Sequence, residues 1–302
     1  AHTMTAIAIA VTATVHAAAL LLAAHAPAQE KSAEPLGTDF LRFVEDENET
    51  SLQTVLATYE RADGVRAALA GAVHIADKAY FDDLNERFKK YDAVLYEMVG
   101  GPYPKKKAAR AQEAADGHHE EGDGGRLQWV GQMQEMMRKM LQLEGQMACV
   151  NYGAPNFIHA DMTTEGFFQS QEEKQETFLT LWLKSIQAQN SRTDARPQPG
   201  MAELLRILMS GDSATEMKRV IGREFDSVEE ILAGVEAGGG TTIIGERNRH
   251  ALEVLDREIA AGKKNLAVFY GAAHLPDMEK RLLERGFKLI RVEHLKAWLL
   301  KP

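Results

Sequence analysis

Apolar runs bounded by turn residues mark the strands of this chain. The first convincing run covers Val65 to Val73, and shorter runs follow at Ala93–Tyr96, Val268–Tyr270 and Leu289–Val292. Short runs of this kind, separated by helix-like segments, are typical of β-α-β units. The stretch before Ser51 is polar and mixed, so we expect the folded sheet to begin near Val65.

Apolar residues at helical spacing fill the middle of the chain. Leu127, Val130, Met133 and Met137 repeat three or four positions apart, which predicts an amphipathic helix from Gln128 to Met147. Similar patterns predict helices over Ser170–Gln189, Met201–Met209, Ser213–Arg223 and Arg249–Ala261. A glycine turn then leads into a predicted strand, Thr241–Ile244. We expect residues 126–235 to form a mainly helical insertion.

One pattern occurs twice along the chain. Ala68–Asp77 and Val268–Asp277 both read as a strand, Gly-Ala-x-His, a turn and an aspartate. The closing aspartate of each segment suits a helix N-cap. A leucine-rich helical segment and a second apolar strand follow each time, and these strands end at Glu97 and Glu293. The sequence therefore predicts an α/β fold with a central mixed sheet built from two repeated β-α-β units.

The two histidines of this repeat are candidate ligands of a metal ion. In such units the glycine lets the chain turn sharply after the strand, and the histidine stands at the carboxyl edge of the sheet, where ligands bind. Two imidazoles and one carboxylate leave open positions on an ion for water and substrate. We predict a shared divalent metal site formed by His74, Glu97 and His274. The alternative is a purely structural echo, in which the histidines only form hydrogen bonds.

Composition and charge limit the kinds of molecule that the chain is expected to bind. The 302 residues include 44 acidic and 35 basic side chains, giving a net charge of -9. This charge repels nucleic acid and anionic membrane surfaces, and we expect no nucleic-acid partner. The substrate we expect is a peptide or a small molecule. The single cysteine, Cys149, excludes an intrachain disulfide.

The first 29 residues resemble an export signal. They contain no Asp, Glu, Lys or Arg, and the apolar run ends at Ala26-Pro27-Ala28, a small-residue pattern that suits signal cleavage. We expect export to the periplasm or beyond, with a retained N-terminal membrane anchor as the alternative. Residues 30–302 should form one domain, with residues 102–125 as a flexible excursion and no further membrane span.

Several segments are similar to the TraB/PrgY/Tiki/GumN superfamily. The resemblance rests on the two Gly-x-x-His turns, the segment Tyr91–Glu97 and the segment Gly245–Asn248, and it extends from about Val65 to the C-terminus. It implies a ChaN-like or erythromycin-esterase-like α/β fold. As in Tiki proteins, it also implies metal-dependent peptidase activity toward secreted peptides.

The resemblance also assigns residues. The two turn histidines of the family correspond to His74 and His274, and the glutamate at the strand end corresponds to Glu97. The Glu-Arg-Asn segment points to Arg247, with Asn248 and Glu246 beside it, and the segment His159–Met162 supplies an acidic residue, Asp161.

The expected reaction is hydrolysis of an amide or ester carbonyl by water on a divalent ion, which could be zinc, manganese or cobalt. Arg247 would stabilise the oxyanion. Glu246 or Asp161 would act as general base, or Asp161 would be a further ligand. Neither His-Glu-x-x-His nor Gly-x-Ser-x-Gly occurs. Two alternatives remain open: a non-catalytic protein that binds haem, iron or a peptide, and a metal-independent esterase with a histidine base.

Overall fold

A computed structural model describes residues 38–103, 135–174, 176, 205–207, 209–237 and 241–300, with only the backbone described for residues 226–237. The predicted export segment 1–29 lies outside these residues. So do residues 104–125 of the predicted excursion and most of the helices predicted over Ser170–Gln189 and Met201–Met209.

The described residues form nine strands. They are β1 (Leu41–Glu45), β2 (Thr50–Glu60), β3 (Arg66–Ala72), β4 (Ile75–Ala76), β5 (Ala93–Tyr96), β6 (Glu144–Gly145), β7 (Phe157–His159), β8 (Asn265–Gly271) and β9 (Lys288–Leu300).

Helices connect these strands. They are α1 (Lys78–Phe88), α2 (Gln146–Cys149), α3 (Thr164–Glu173), α4 (Ser213–Ala237), α5 (Arg247–Ala260) and α6 (Leu275–Glu284). A π-helical turn, Thr242–Glu246, leads directly into α5, and a 3-10 turn, Ala272–His274, leads into α6. A further helical segment covers residues 135–141.

The main sheet combines parallel and antiparallel strands. Its order is β1-β2-β3-β8-β5-β7, and β9 pairs with β2 along the full length of β2. Strands β3, β8, β5 and β7 are parallel to one another, whereas β2 is antiparallel to β1, β3 and β9. The predicted α/β fold with a central mixed sheet is therefore confirmed.

The sheet begins earlier than the sequence predicted. Strands β1 and β2 precede Val65, and β2 is flanked on both edges by other strands. Its first half contains the buried polar residues Thr50, Ser51, Gln53 and Thr54. Because of this polar composition, β2 lacks the continuous apolar run that predicts a buried strand.

Helices cover both faces of the sheet. Along β3, Leu69 packs with α5 and α6 on one face, and its neighbours Ala68 and Ala70 pack with α1 on the other face. This alternation follows from the two-residue period of a strand. The two faces of β3 are thus buried in separate apolar layers.

Residues 126–235 contain helices, but they also contribute to the sheet. Strand β7 extends the main sheet beside β5. The helix predicted up to Met147 ends at residue 141, where Gln142 adopts a positive φ of 53° and β6 follows. The predicted strand Thr241–Ile244 is also wrong, because these residues enter the π-helical turn before α5.

The two predicted helix caps differ from each other. Asp77 occupies the N-cap position of α1 without a side-chain cap, and its carboxylate accepts a hydrogen bond from the Leu299 N–H instead. Asp277 is not an N-cap, because it lies within the first turn of α6.

No helix in the described ranges combines the length and apolar character needed to cross a bilayer.

Candidate functional site

The candidate site lies at the carboxyl edge of three neighbouring parallel strands. Strand β8 lies between β3 and β5, and the three strands end at Ala72, Tyr96 and Gly271. His74, Glu97 and His274 follow these ends within three residues. The fold therefore brings the predicted residues from distant parts of the chain to one edge of the sheet.

Glu97 lies at the centre of this edge. Its Oε1 accepts a hydrogen bond from Arg247 Nη2 at 2.6 Å, and its Oε2 accepts one from the Gly271 N–H at 2.7 Å. Burial raises the pKa of Glu97, but the positive charge of Arg247, followed by His274, His74 and the Gly271 N–H, outweighs it and holds the pKa far below its usual range. The side chain is therefore a carboxylate.

Gly271 is important because it has no side chain, and not because of its backbone conformation. Its φ is -48°, which any residue can adopt, so the expected sharp glycine turn is wrong. A Cβ atom at this position would lie 3.3 Å from Glu97 Oε2. The glycine thus lets the Glu97 carboxylate approach the backbone at the end of β8.

Arg247, the first residue of α5, pairs with two carboxylates. Its Nε and Nη2 donate to Asp161 at 3.0 and 2.6 Å, and Nη2 also donates to Glu97. Burial lowers the pKa of Arg247, but the charges of Asp161 and then Glu97 outweigh it and raise the pKa well above its ordinary value. The guanidinium is therefore permanently charged and shared between two acids.

Asp161 is fully enclosed beside this guanidinium. Its side chain is 0 % exposed, and besides Arg247 it accepts a hydrogen bond from the Met162 N–H at 2.8 Å. The adjacent Ala160 carbonyl accepts a hydrogen bond from the Tyr270 hydroxyl, which ties this segment to β8. Asp161 thus serves as the counter-ion that holds Arg247 in place.

The tautomer of His274 follows from Asn248. The Asn248 Nδ2 donates to the His274 carbonyl and to the Asp277 carboxylate, so its Oδ1 must face His274 Nδ1, at 2.6 Å. Nδ1 therefore carries the proton, and the Nε2 lone pair accepts a long hydrogen bond from Arg247 Nη1 at 3.4 Å. Burial lowers the pKa of His274 to about 4, although Glu97 opposes the shift. The imidazole is neutral at physiological pH.

His74 differs from His274 in being exposed to solvent. Its backbone carbonyl accepts a hydrogen bond from the Gln146 N–H at 2.8 Å, and its electrostatic interaction with Glu97 is among the causes that lower the pKa of Glu97. Within the described residues, no hydrogen bond or ion pair holds its side chain. His74 is therefore free to contact a ligand at the rim.

Glu246 lies next to Arg247 in sequence but binds other partners. Its carboxylate pairs with Lys174 at 3.1 Å and with Arg249 at 3.0 Å. Burial raises its pKa, and the bonds to these two bases lower it below its ordinary value. No contact with Glu97, His274 or His74 is found within the described residues.

The predicted metal ligands fit an ion only in part. Glu97 Oε1 and His274 Nε2 lie 3.6 Å apart, a distance that an ion with bonds of about 2.1 Å can span. Arg247 already places one cation against both atoms. The described residues contain no group of three or more His, Cys, Asp or Glu side chains that could hold a metal.

Two further residues next to the site were not predicted from the sequence. Gln146 binds the backbone of His74, and Tyr152 is close enough to Glu97 for that charge to raise its pKa. Neither residue follows a predicted strand or belongs to the repeat, so the sequence carries no signal for them.

Comparison of the chain with protein-family models, with curated proteins and with solved structures finds no match.

Proposed function

We propose that this chain is a hydrolase that attacks the carbonyl carbon of an amide or ester, with His274 as the base that activates water. One observation carries the proposal: the lone pair of His274 Nε2 is held 3.6 Å from the Glu97 carboxylate, in a cluster that also contains Arg247. A base and a carboxylate fixed side by side at the carboxyl edge of an α/β sheet are suited to this chemistry.

The proposed first step needs only these two groups. A water molecule in front of the pair would donate one hydrogen to His274 Nε2 and the other to Glu97 Oε1. As its oxygen bonds to the carbonyl carbon, one proton passes to Nε2, and the imidazolium is stabilised by Glu97. The same proton then leaves with the alcohol or amine when the carbon–leaving-group bond breaks.

The buried partners keep this pair in position. Asn248 fixes the ring and the tautomer of His274, as the orienting acid does in a catalytic triad. Arg247 balances one of the two carboxylates it touches, so that the cluster of Glu97, Asp161 and Arg247 retains one excess negative charge. That excess charge favours the protonated state of His274 that forms during the reaction.

Arg247 is poorly suited to the oxyanion role expected from the sequence. Its Nε and Nη2 donors are bound to carboxylates at 3.0 Å or less. Only Nη1 has weak bonds, at 3.4 Å, to the Ile243 carbonyl and to His274. We assign Arg247 and Asp161 to positioning and charge balance, and Glu246 to the surface.

A metal-dependent hydrolase is the second candidate, and the 3.6 Å spacing of Glu97 Oε1 and His274 Nε2 favours it. These two atoms, with His74 turned inward, would hold the ion. A bound divalent ion would lower the pKa of a water molecule and so supply the nucleophile.

Membership of the TraB/Tiki superfamily is part of this proposal. It is supported by the two Gly-Ala-x-His segments, each of which is followed by a helix and by a strand of the same sheet that runs parallel to the first. The proposed architecture is thus a pair of related β-α-β units joined by the insertion of residues 126–235.

One experiment tests the function and separates the two candidates. Protein purified without an affinity tag would be assayed on chromogenic esters and amides, before and after dialysis against a chelator. The proposed mechanism requires hydrolysis that survives the chelator and is lost in Glu97→Gln. Activity that returns only with zinc, manganese or cobalt would favour the second candidate. Glu246→Gln is the matched control and should retain activity. The absence of hydrolysis under every condition would refute both candidates.

A further inference from the structure

A buried tyrosine and glutamine form a pair beside the candidate site. Gln146 Nε2 donates to the Tyr152 hydroxyl oxygen at 2.7 Å, and the Gln146 N–H donates to the His74 carbonyl. Tyr152 is only 5 % exposed and Gln146 only 8 %. The pair is thus fixed to the backbone of a predicted site residue.

Both side chains retain unused hydrogen-bonding capacity. A tyrosine hydroxyl can donate one hydrogen and accept from others. Tyr152 accepts from Gln146, but within the described residues its hydrogen has no acceptor. Gln146 Oε1 is also buried without a partner. Unpaired buried polar atoms are costly and rare, so the unpaired Gln146 oxygen beside an uncommitted hydroxyl hydrogen indicates that a polar ligand completes the pair.

The hydroxyl is a permanent donor next to the proposed reaction centre. Burial raises the pKa of Tyr152, the Gln146 bond lowers it slightly, and the negative charge of Glu97 raises it further. The hydroxyl therefore remains protonated at any physiological pH. The ring of Tyr152 lies 5.1 Å from the ring of Tyr96, the residue that precedes Glu97.

We infer that Tyr152 donates its hydroxyl hydrogen to the carbonyl oxygen of the substrate and stabilises the oxyanion, with Gln146 as the residue that positions the hydroxyl. The inference rests on the proposed hydrolysis. It assigns the oxyanion role to a side chain whose hydrogen is uncommitted, whereas the donors of Arg247 are mostly bound to carboxylates.

The step is balanced without a further reactant. When the water oxygen bonds to the carbonyl carbon, the electron pair of the C=O double bond moves onto the carbonyl oxygen. Tyr152 supplies a hydrogen bond to this developing charge and keeps its proton. When the leaving group departs, the electron pair returns and the C=O bond re-forms.

The first test removes the hydroxyl. Removing one oxyanion donor typically lowers kcat by about 100- to 1,000-fold, so Tyr152→Phe should show such a loss with little change in KM. Tyr59→Phe is the matched control, because the buried Tyr59 hydroxyl donates to Glu279 away from the site. That variant should lose stability but keep kcat within about twofold.

The second test redirects the hydrogen. Gln146→Glu places a carboxylate oxygen against the Tyr152 hydroxyl, where it would accept the hydrogen and withdraw it from the substrate. We expect a loss of kcat similar to that of Tyr152→Phe. If Tyr152 already donates to the glutamine, Gln146→Glu would leave kcat unchanged, and the inference would be overturned.

A binding measurement separates this inference from the proposed function. Phenylphosphonate is a tetrahedral anion that mimics the oxyanion, and calorimetry should show at least tenfold weaker binding to Tyr152→Phe than to the unmodified chain. If the chain hydrolyses substrates and Tyr152→Phe is equally active, the inference fails and the function stands. If no substrate is hydrolysed but the difference in binding is found, the function and the oxyanion role both fail, and Tyr152 is a hydrogen-bond donor to a bound anion only. No hydrolysis together with no phosphonate binding refutes both.

Discussion

Replacing Arg247 by methionine should remove much of the stability of the fold. Methionine has a similar length and no charge, so the change isolates the electrostatic part of the interaction. It would leave the side chains of Asp161, 0 % exposed, and Glu97, 18 % exposed, without their cation. Among the described residues, Asp161 would keep the hydrogen bond from the Met162 N–H, and Glu97 would keep the one from the Gly271 N–H.

The expected magnitude follows from the burial of these two acids. Removing one partner of a buried ion pair typically costs about 3–5 kcal/mol, because the remaining charge is uncompensated. The whole fold is expected to have an unfolding free energy of about 5–15 kcal/mol. Arg247→Met should therefore lower the urea midpoint strongly at pH 7, as followed by circular dichroism. The loss should shrink below about pH 4.5, because the stability that the unmodified chain gains from the lowered pKa of Glu97 is itself lost as the pH falls.

Arg249→Met is the matched control for this measurement. Arg249 lies two residues further along α5, is 52 % exposed and pairs with Glu246 and Glu253. Exposed ion pairs contribute less than about 1 kcal/mol, so this variant should unfold almost like the unmodified chain. If Arg247→Met came within about 1 kcal/mol of Arg249→Met, the buried cluster would not stabilise the fold as argued.

Three further outcomes follow from the same structure. Because the pKa of His274 is lowered to about 4, the unfolded chain binds a proton between pH 6.5 and 4 that the folded chain does not bind. The stability that this residue contributes is therefore present above pH 6.5 and falls by up to roughly 3 kcal/mol as the pH drops to 4. Urea titrations in metal-free buffer should show a shallower fall for His274→Asn. His74→Ala should change the unfolding free energy by less than about 0.5 kcal/mol because the side chain is exposed, and an equal loss of stability in both histidine variants would contradict the contrast in their burial. In α4, a Cβ atom on Gly222 would lie 2.4 Å from Phe43 Cδ2, so Gly222→Ala should destabilise by about 1–3 kcal/mol despite a gain of about 1 kcal/mol in helix propensity; a higher melting temperature would show that Phe43 moves aside at little cost.

The sequence predicted those parts of the fold whose pattern is local. Strands β3, β5 and β8 are short apolar runs next to turn residues, and they lie where the pattern placed them. Strand β2 was not predicted because several of its buried residues are polar. Its pairing with β9, which is far away in the sequence, leaves no local pattern. The segment Thr241–Ile244 misled in the opposite way, since its β-branched residues favour a strand but its backbone enters the start of α5.

In the candidate site, too, the sequence predicted local features but not contacts between distant residues. The repeat predicted that His74, Glu97 and His274 share one edge, because parallel strands end on the same side. It could not predict that Arg247 would lie against Asp161, since these residues are 86 positions apart and meet only in the folded chain. The burial of His274 was equally hidden, because a strand-end histidine can face either solvent or a neighbouring helix.

The position of β8 has a consequence for how the chain acquires its structure. This strand separates β3 from β5 in the sheet, yet it is formed by residues 265–271, long after both neighbours in the sequence. During synthesis, β3 and β5 therefore emerge with no strand between them, and each exposes an unpaired edge until the last part of the chain arrives. Pairings of this kind close long loops and fold slowly. The nascent chain should thus depend on chaperones that shield such edges, and a ribosome-stalled chain ending before residue 265 should be protease-sensitive throughout β3 and β5.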